Sequence, residues 1–353
     1  MKFKLLLITC LLTAIVFAQQ PKKQIVRIGG NDRAEQTKDW PRSESGAAAF
    51  EKFLDDMVAR DLFSGTVLVM HGNETLVSKS FGLADKEHGV PNGGETKYNI
   101  GSINKIFTKI ALLQLRRDGK IDFSKTLRTY LPDYPSAIAD QITIQQLLDM
   151  SSGMGDFFGP KFDDGPKAQI RTLADYLPFF VDQPLEFEPG TRRRYSNAGY
   201  VVLGLVIEKL SGMTYYDYVK KNIFDPAGMK NSESYPLDAV VANRAVGYMG
   251  PKHARSNIYE LPARGSSAGG GYSTAPDLLA FTRALPKLIA RDDYRALVGE
   301  PAGAGWGGGT AGVNAAVEME GEYTIIVLSN YDPPAAEHVA QNARRALGLQ
   351  VDE

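Results

Sequence analysis

A hydroxyl and an amine stand three residues apart in Ser102-Ile103-Asn104-Lys105, the one S-x-x-K of the sequence. A serine hydroxyl is a poor nucleophile until a neighbouring base takes its proton. On a helix, positions i and i+3 share a face, so the Lys105 Nζ can reach the Ser102 Oγ. Ser102 also follows Gly101 at an apparent helix start. Backbone N–H groups there lack intrahelical acceptors. Together with the positive end of the helix dipole they suit a developing oxyanion. The pattern points to nucleophilic catalysis by serine.

Tyr195-Ser196-Asn197, the one Y-x-N, lies just before a helix expected over 199–210 and closed by Gly212. A tyrosine with a pKa of about 10 is useless as a base at neutral pH unless cations stabilise its phenolate. Lys105 could do that, and Arg192-Arg193-Arg194 adds local positive charge. The segment equally fits an ordinary first helical turn with an Asn cap, and the arginines a solvated run. A third stretch, Gly305-Trp306-Gly307-Gly308-Gly309-Thr310, precedes the C-terminal strands. Glycines in an edge strand let another backbone or a ligand approach closely, although the same run also fits a flexible surface loop.

Three other patterns are weaker. Gly265-Ser266-Ser267-Ala268-Gly269 matches the G-x-S-x-G nucleophile elbow, with Asp277 and His338 as triad partners. The elbow needs a strong strand before it and a helix directly after it. Here Leu261-Pro262-Ala263-Arg264 precedes and Gly270-Gly271 follows, so a glycine-rich turn fits better. Gly303-x-Gly305-x-x-Gly308 has the spacing of a dinucleotide fingerprint, but a strand rather than a helix is expected after it. His71, His88, His253 and His338 are too far apart for a short metal motif. No metal or cofactor is expected.

The elements that must position these residues are readable from periodicity. Residues 47–58 have apolar positions at helical spacing, and 66–70 with 75–81 form a β-hairpin around His71-Gly72-Asn73-Glu74. An apolar stripe of Ile103, Ile106/Phe107, Ile110 and Leu113 predicts a buried amphipathic helix over 102–115. The middle is a string of helical segments broken at 130–135 and at Asp225-Pro226-Ala227-Gly228. Residues 314–319 and 323–329 predict two strands around Glu320-Gly321-Glu322, and 335–347 a closing helix. Strands at both ends with helices between imply an α/β fold. Its antiparallel sheet would be built from N- and C-terminal strands, flanked by helices, with a large helical insertion. The expected domains are an α/β domain over 46–106 and 262–349, and a helical domain over 107–261.

The chain has 353 residues, 43% of them hydrophobic and 23% charged, which excludes a wholly disordered chain. With 40 Lys plus Arg against 41 Asp plus Glu, it has no basic excess for a nucleic-acid or polybasic membrane partner. Lys2, Lys4, the apolar run 5–17 and Val16-Phe17-Ala18 predict a cleaved secretory signal over 1–18. That run is too short to span a bilayer. Residues 19–45, polar and aperiodic, are expected to be a tether. Cleavage would remove Cys10, the one cysteine, and with it any cysteine catalysis or disulfide. The protein is therefore expected to be exported, periplasmic or secreted, with no integral membrane segment after cleavage.

Together the three segments resemble the penicillin-binding-protein and serine β-lactamase superfamily, in its class C-like branch with D-peptidases and carboxylesterases. The likeness covers about residues 50–348 and includes Tyr98-Asn99-Ile100-Gly101 before Ser102, Thr143-Ile144-Gln145-Gln146-Leu147-Leu148 and Ser151-Ser152-Gly153. It continues through 224–229, 268–277 and 325–330. The resemblance implies a β-lactamase/transpeptidase-like fold, with Ser102 as acyl-accepting nucleophile and Lys105 as its partner. It makes Tyr195 the base, a role that enzymes of this kind also give to the lysine of the pair, here Lys105, and Asn197 a substrate-positioning amide. Trp306-Gly307-Gly308 stands where the family has Lys or His, a small residue and Gly, and the Gly309 N–H would complete an oxyanion hole with that of Ser102. Similar Trp-Gly-Gly signatures occur among the family's esterases. The implied function is a serine hydrolase acting on a small ester, amide or lactam, with a carboxylesterase favoured. A D-amino-acid peptidase or β-lactamase using the same residues is the alternative, as is a non-turnover penicillin- or peptidoglycan-binding sensor.

Overall fold

Two short runs of β-formers separated by Gly72-Asn73 fold as a hairpin, β1 (Gly65–His71) with β2 (Glu74–Phe81). Near the other end of the chain, β3 (Gly303–Thr310), β4 (Val313–Glu320) and β5 (Tyr323–Ser329) form an antiparallel meander. β5 pairs with β1 from Gly65 opposite Ser329 to His71 opposite Tyr323, giving a sheet ordered β2-β1-β5-β4-β3. The sheet is antiparallel and joins both ends of the chain, as the sequence predicts. The computed structural model describes residues 44–299 and 303–349. The signal expected over 1–18, Cys10 within it, and the tether up to residue 43 lie outside the described residues. Glu44 and Ser45, assigned to the tether from sequence, instead open helix α1 (Glu44–Ala59).

β1 is buried on both faces, which its period of two makes possible. Leu68 and Met70 join Ala315, Val317, Ile326 and Leu328 in the larger core, with α2 (Asn104–Arg117) and α4 (Ala275–Leu288). Val67 and Val69 join Ala316, Ile325 and Val327 in a smaller one, with α1 and α5 (Ala335–Ala346). Helices thus cover both sides, so the strands carry apolar residues nearly without alternation.

Helix α2 departs from the single stripe that periodicity suggests. Eleven of its fourteen residues are buried, including Asn104, Lys105, Thr108 and Gln114. Its neighbours surround it. The Phe107 ring meets Phe224 and Phe281 edge-on at 4.9 and 5.0 Å. The polar groups this traps find partners, as burial demands. Thr108 Oγ1 donates to the Ser267 carbonyl at 2.7 Å, and Gln114 Nε2 donates to the carbonyls of Asn222 and Leu288 at 3.1 Å.

Between α2 and α4 the chain runs through short helical turns and one long helix, α3 (Asn197–Ser211). The Ser196 side chain caps α3 by accepting from Gly199 N–H, and Gly212 ends it in the left-handed conformation. The break expected at Asp225–Gly228 falls later than predicted. Asp225-Pro226-Ala227 is itself a short helical segment with Pro226 at its start, where a missing N–H costs least, and Gly228 closes it. Among the described residues no helix is long and apolar enough to cross a membrane.

Candidate active site

The turn that presents Ser102 is fixed from both sides. Tyr98-Asn99 pairs antiparallel with Tyr272-Ser273, and the Asn99 Oδ1 accepts from the Gly101 N–H at 2.9 Å. Gly101 to Ile103 form a 3-10 turn that runs into α2, so Ser102 sits one turn ahead of the α-helix rather than in it. Strand β3 lies against this turn. A Cβ on Gly308 would fall 2.0 Å from the Ile100 carbonyl oxygen and 2.9 Å from Ser102 N. One on Gly101, whose φ is +51°, would fall 2.8 Å from Gly309 N. Only glycines let these two backbones meet. The glycine-rich stretch is therefore an ordered edge strand, not a loop.

Ser102, Lys105, Tyr195 and Asn197 converge. The Tyr195 hydroxyl lies 2.5 Å from Ser102 Oγ. Lys105 Nζ is 3.3 Å from Ser102 Oγ, 2.7 Å from Asn197 Oδ1 and 2.5 Å from the Ala268 carbonyl oxygen. It also lies 4.6 Å from the centre of the Tyr195 ring. Lys105 is only 4% exposed, and burial lowers its pKa from 10.5 to about 7, the Asp156 carboxylate opposing the shift. Burial likewise pushes the Tyr195 phenol well above its ordinary range, with the Ser102 hydrogen bond pulling it back. The sequence leaves open whether Tyr195, as a phenolate, or Lys105, as a neutral amine, is the group without its proton. Desolvation, which penalises either charged form, favours Lys105 as the group that loses its proton.

That protonation state has a geometric consequence. Asn197 Oδ1 and the Ala268 carbonyl can only accept, so they take both N–H donors of a neutral amine. The lone pair is left for the Ser102 hydroxyl. Tyr195 O–H can then donate to the same oxygen, ready to carry a proton in either direction.

Several neighbours were not legible in the sequence. Asp156 Oδ2 accepts from Asn197 Nδ2 at 2.6 Å, yet nothing marks Asp156 among the acids except its place shortly after Ser151-Ser152-Gly153. Arg192 and Arg194 turn away to Glu186 and Phe187 rather than to Tyr195. Arg264 is engaged by the Ser234 carbonyl at 2.7 Å and lies over the Tyr216 ring at 3.6 Å. Trp306 shares a face of β3 with Gly308. It is part-buried against the core, its ring 5.9 Å from that of Phe281.

The alternative elbow is taken apart by the geometry. Ser267 is fully buried and its Oγ donates to the Tyr200 carbonyl. Asp277 accepts from Asn231 N–H and Ser232 Oγ, while His338 belongs to α5 on the far side of the sheet. The dinucleotide-like glycines all lie in β3. Among the described residues no group of three or more His, Cys, Asp or Glu could hold a metal ion.

The chain is similar to known proteins in sequence and in fold. The profile of the family described as Beta-lactamase matches residues 50–350. A putative penicillin-binding protein, PbpX, of Bacillus subtilis is 30% identical over 286 residues, covering 80% of this chain and 68% of that protein. Penicillin-binding protein 4* of the same organism is 33% identical over 205 residues, which span 57% of this chain but 44% of that longer protein. A penicillin-binding protein from Bacillus halodurans superposes with a TM-score of 0.75 at 31% identity, over 83% of this chain and 98% of the other.

Proposed function

The chain belongs to the Beta-lactamase family and is a serine hydrolase of that kind, and on this premise we propose that it is an exported carboxylesterase working through an acyl-enzyme on Ser102. The observation that carries the catalytic part is the placement of Lys105, its pKa brought down by burial to about 7, within 3.3 Å of Ser102 Oγ. In acylation the Ser102 oxygen attacks the ester carbonyl as its proton passes to Lys105. The Ser102 and Gly309 N–H groups receive the oxyanion. The tetrahedral intermediate then expels the alcohol, whose oxygen takes the proton through Tyr195. Water repeats the sequence on the acyl-enzyme, releasing the acid and restoring the serine hydroxyl.

Ester preference rests on the third motif, where Trp306 stands in place of a cation. A charge-assisted hydrogen bond contributes about 1.5–3 kcal/mol, so its loss weakens binding of a substrate carboxylate roughly ten- to a hundredfold. Arg264, committed to Ser234 and Tyr216, is poorly placed to substitute for it. Export rests on the signal-like residues 1–18, and the two-domain reading, with 107–261 as a helical insertion, on the sheet's origin at both chain ends. The test is a comparison of kcat/KM for nitrophenyl butyrate, a D-Ala dipeptide amide and a chromogenic cephalosporin, with Trp306→Lys as control. The ester should lead, and the cephalosporin should gain in the variant. Equal turnover of cephalosporin and ester by the unaltered protein would replace the esterase reading with a β-lactamase.

A further inference from the structure

Lys105 acts on Ser102 only if its other contacts hold it with the lone pair facing the hydroxyl, and one of those contacts has a choice of orientation. The Asn197 amide could present either Oδ1 or Nδ2 to Lys105, since the two ends are nearly equal in shape. Presented with Nδ2, it would offer a donor to the amine and compete with Ser102 for the lone pair. What removes the choice is Asp156. Its Oδ2, which can only accept, lies 2.6 Å from Asn197 Nδ2 and turns Oδ1 toward Lys105 at 2.7 Å.

Asp156 is itself held. Its Oδ1 accepts from the Phe158 N–H at 3.2 Å, and the preceding Gly155 carbonyl accepts from Ser196 Oγ at 2.6 Å. Ser196 is also the cap of α3, so the 155–158 loop and the start of α3 are tied as one piece. On this ground, and resting on the reading of Ser102 and Lys105 given above, we propose that Asp156 is a positioning residue for acyl transfer. It orients the Asn197 amide and, through it, the Lys105 amine. Its charge has a second effect. Among the groups around Lys105 (Ser102, Asn197, Tyr195 and Tyr200), Asp156 supplies the negative charge that favours the ammonium against burial.

The two effects separate in Asp156→Asn and Asp156→Ala. Asparagine can still offer an oxygen to Asn197 but carries no charge; alanine offers neither. The readouts are kcat/KM for a nitrophenyl ester against pH, the pH dependence of Ser102 labelling by a fluorophosphonate, and melting temperature. Both variants should move the acidic limb to lower pH by about one unit, the size expected for loss of one nearby opposite charge. Alanine should lower the plateau about ten- to a hundredfold through kcat rather than KM, the scale of a misplaced catalytic group, and asparagine should lose less. An unmoved limb in both variants, with lowered melting temperature alone, would make Asp156 a structural residue and overturn the proposal while leaving the nucleophile intact. Failure of the unaltered protein to label at Ser102 would overturn both readings.

Discussion

The turns at 101–105 and 265–271 are chemically alike in sequence, each with a serine shortly after a glycine, yet they do opposite things. Ser102 is half-buried with Tyr195 and Lys105 on its oxygen. Ser267 is sealed, and the groups around it face the first turn as acceptors. The carbonyls of Ser266, Ser267 and Ala268 receive Asn104 Nδ2, Thr108 Oγ1 and Lys105 Nζ in succession. The second turn is the seat of the helix that carries the first. A serine shortly after a glycine therefore says little about reactivity; what decides it is whether the hydroxyl or the backbone faces the amine.

The sharpest way to break this contrast is to remove each hydroxyl. Ser102→Ala should lower kcat at least on the order of 10³-fold, the usual residue of activity when a serine constellation loses its nucleophile. Peptide mapping of a fluorophosphonate adduct should find it on Ser102, and an adduct on Ser267 would invert the assignment. Next in size, Tyr195→Phe keeps the ring and should cost roughly 10²–10⁴ in rate, the usual worth of a positioned proton carrier. A loss under threefold would leave Lys105 working alone.

A smaller effect sharpens the role of the seat. Because Lys105 must be neutral to accept a proton, kcat/KM should fall about tenfold per pH unit below its pKa of about 7 and level off above it. Stability follows the same group with the sign of a depressed lysine. Between about 7 and 10.5 the unfolded chain holds the proton and the folded one does not, so stability rises with pH across that window. Lys105→Met should make the rise between pH 7 and 9 in chemical denaturation smaller than in the unaltered protein, and an unchanged slope would place the titration elsewhere. Smallest of all, Ser267→Ala should leave kcat within threefold and cost about 1 kcal/mol of stability, the net worth of one buried hydrogen bond. A large catalytic loss with unchanged stability would restore the elbow.

What periodicity could and could not reveal follows from the same contrast. The strands, α3 and the closing helix are local: their apolar spacing, the Ser196 cap and Gly212 are written in neighbouring residues. The motif residues Ser102, Lys105, Tyr195 and Asn197 were legible because covalent spacing brings them to their elements' ends. Asp156 was not, since its importance lies in a 2.6 Å contact across 41 residues. Which of Lys105 and Tyr195 gives up its proton more readily is not legible in the sequence, for a related reason. The stripe on α2 suggests one buried face, and only the packed structure reveals that the lysine's own face is closed as well.

Sheet order has a temporal consequence. β5, the last strand among the described residues, sits beside β1, the first of them, and Gly65 waits for Ser329. Contacts of such sequence separation form slowly and cannot form at all until Ser329 has been made. β3, whose glycines press on the Ser102 turn, also arrives late. During synthesis the nucleophile is thus made long before the backbone that would stabilise its oxyanion. Until β3, β4 and β5 have been made, the growing chain is a hydrolase whose sheet cannot close around β1.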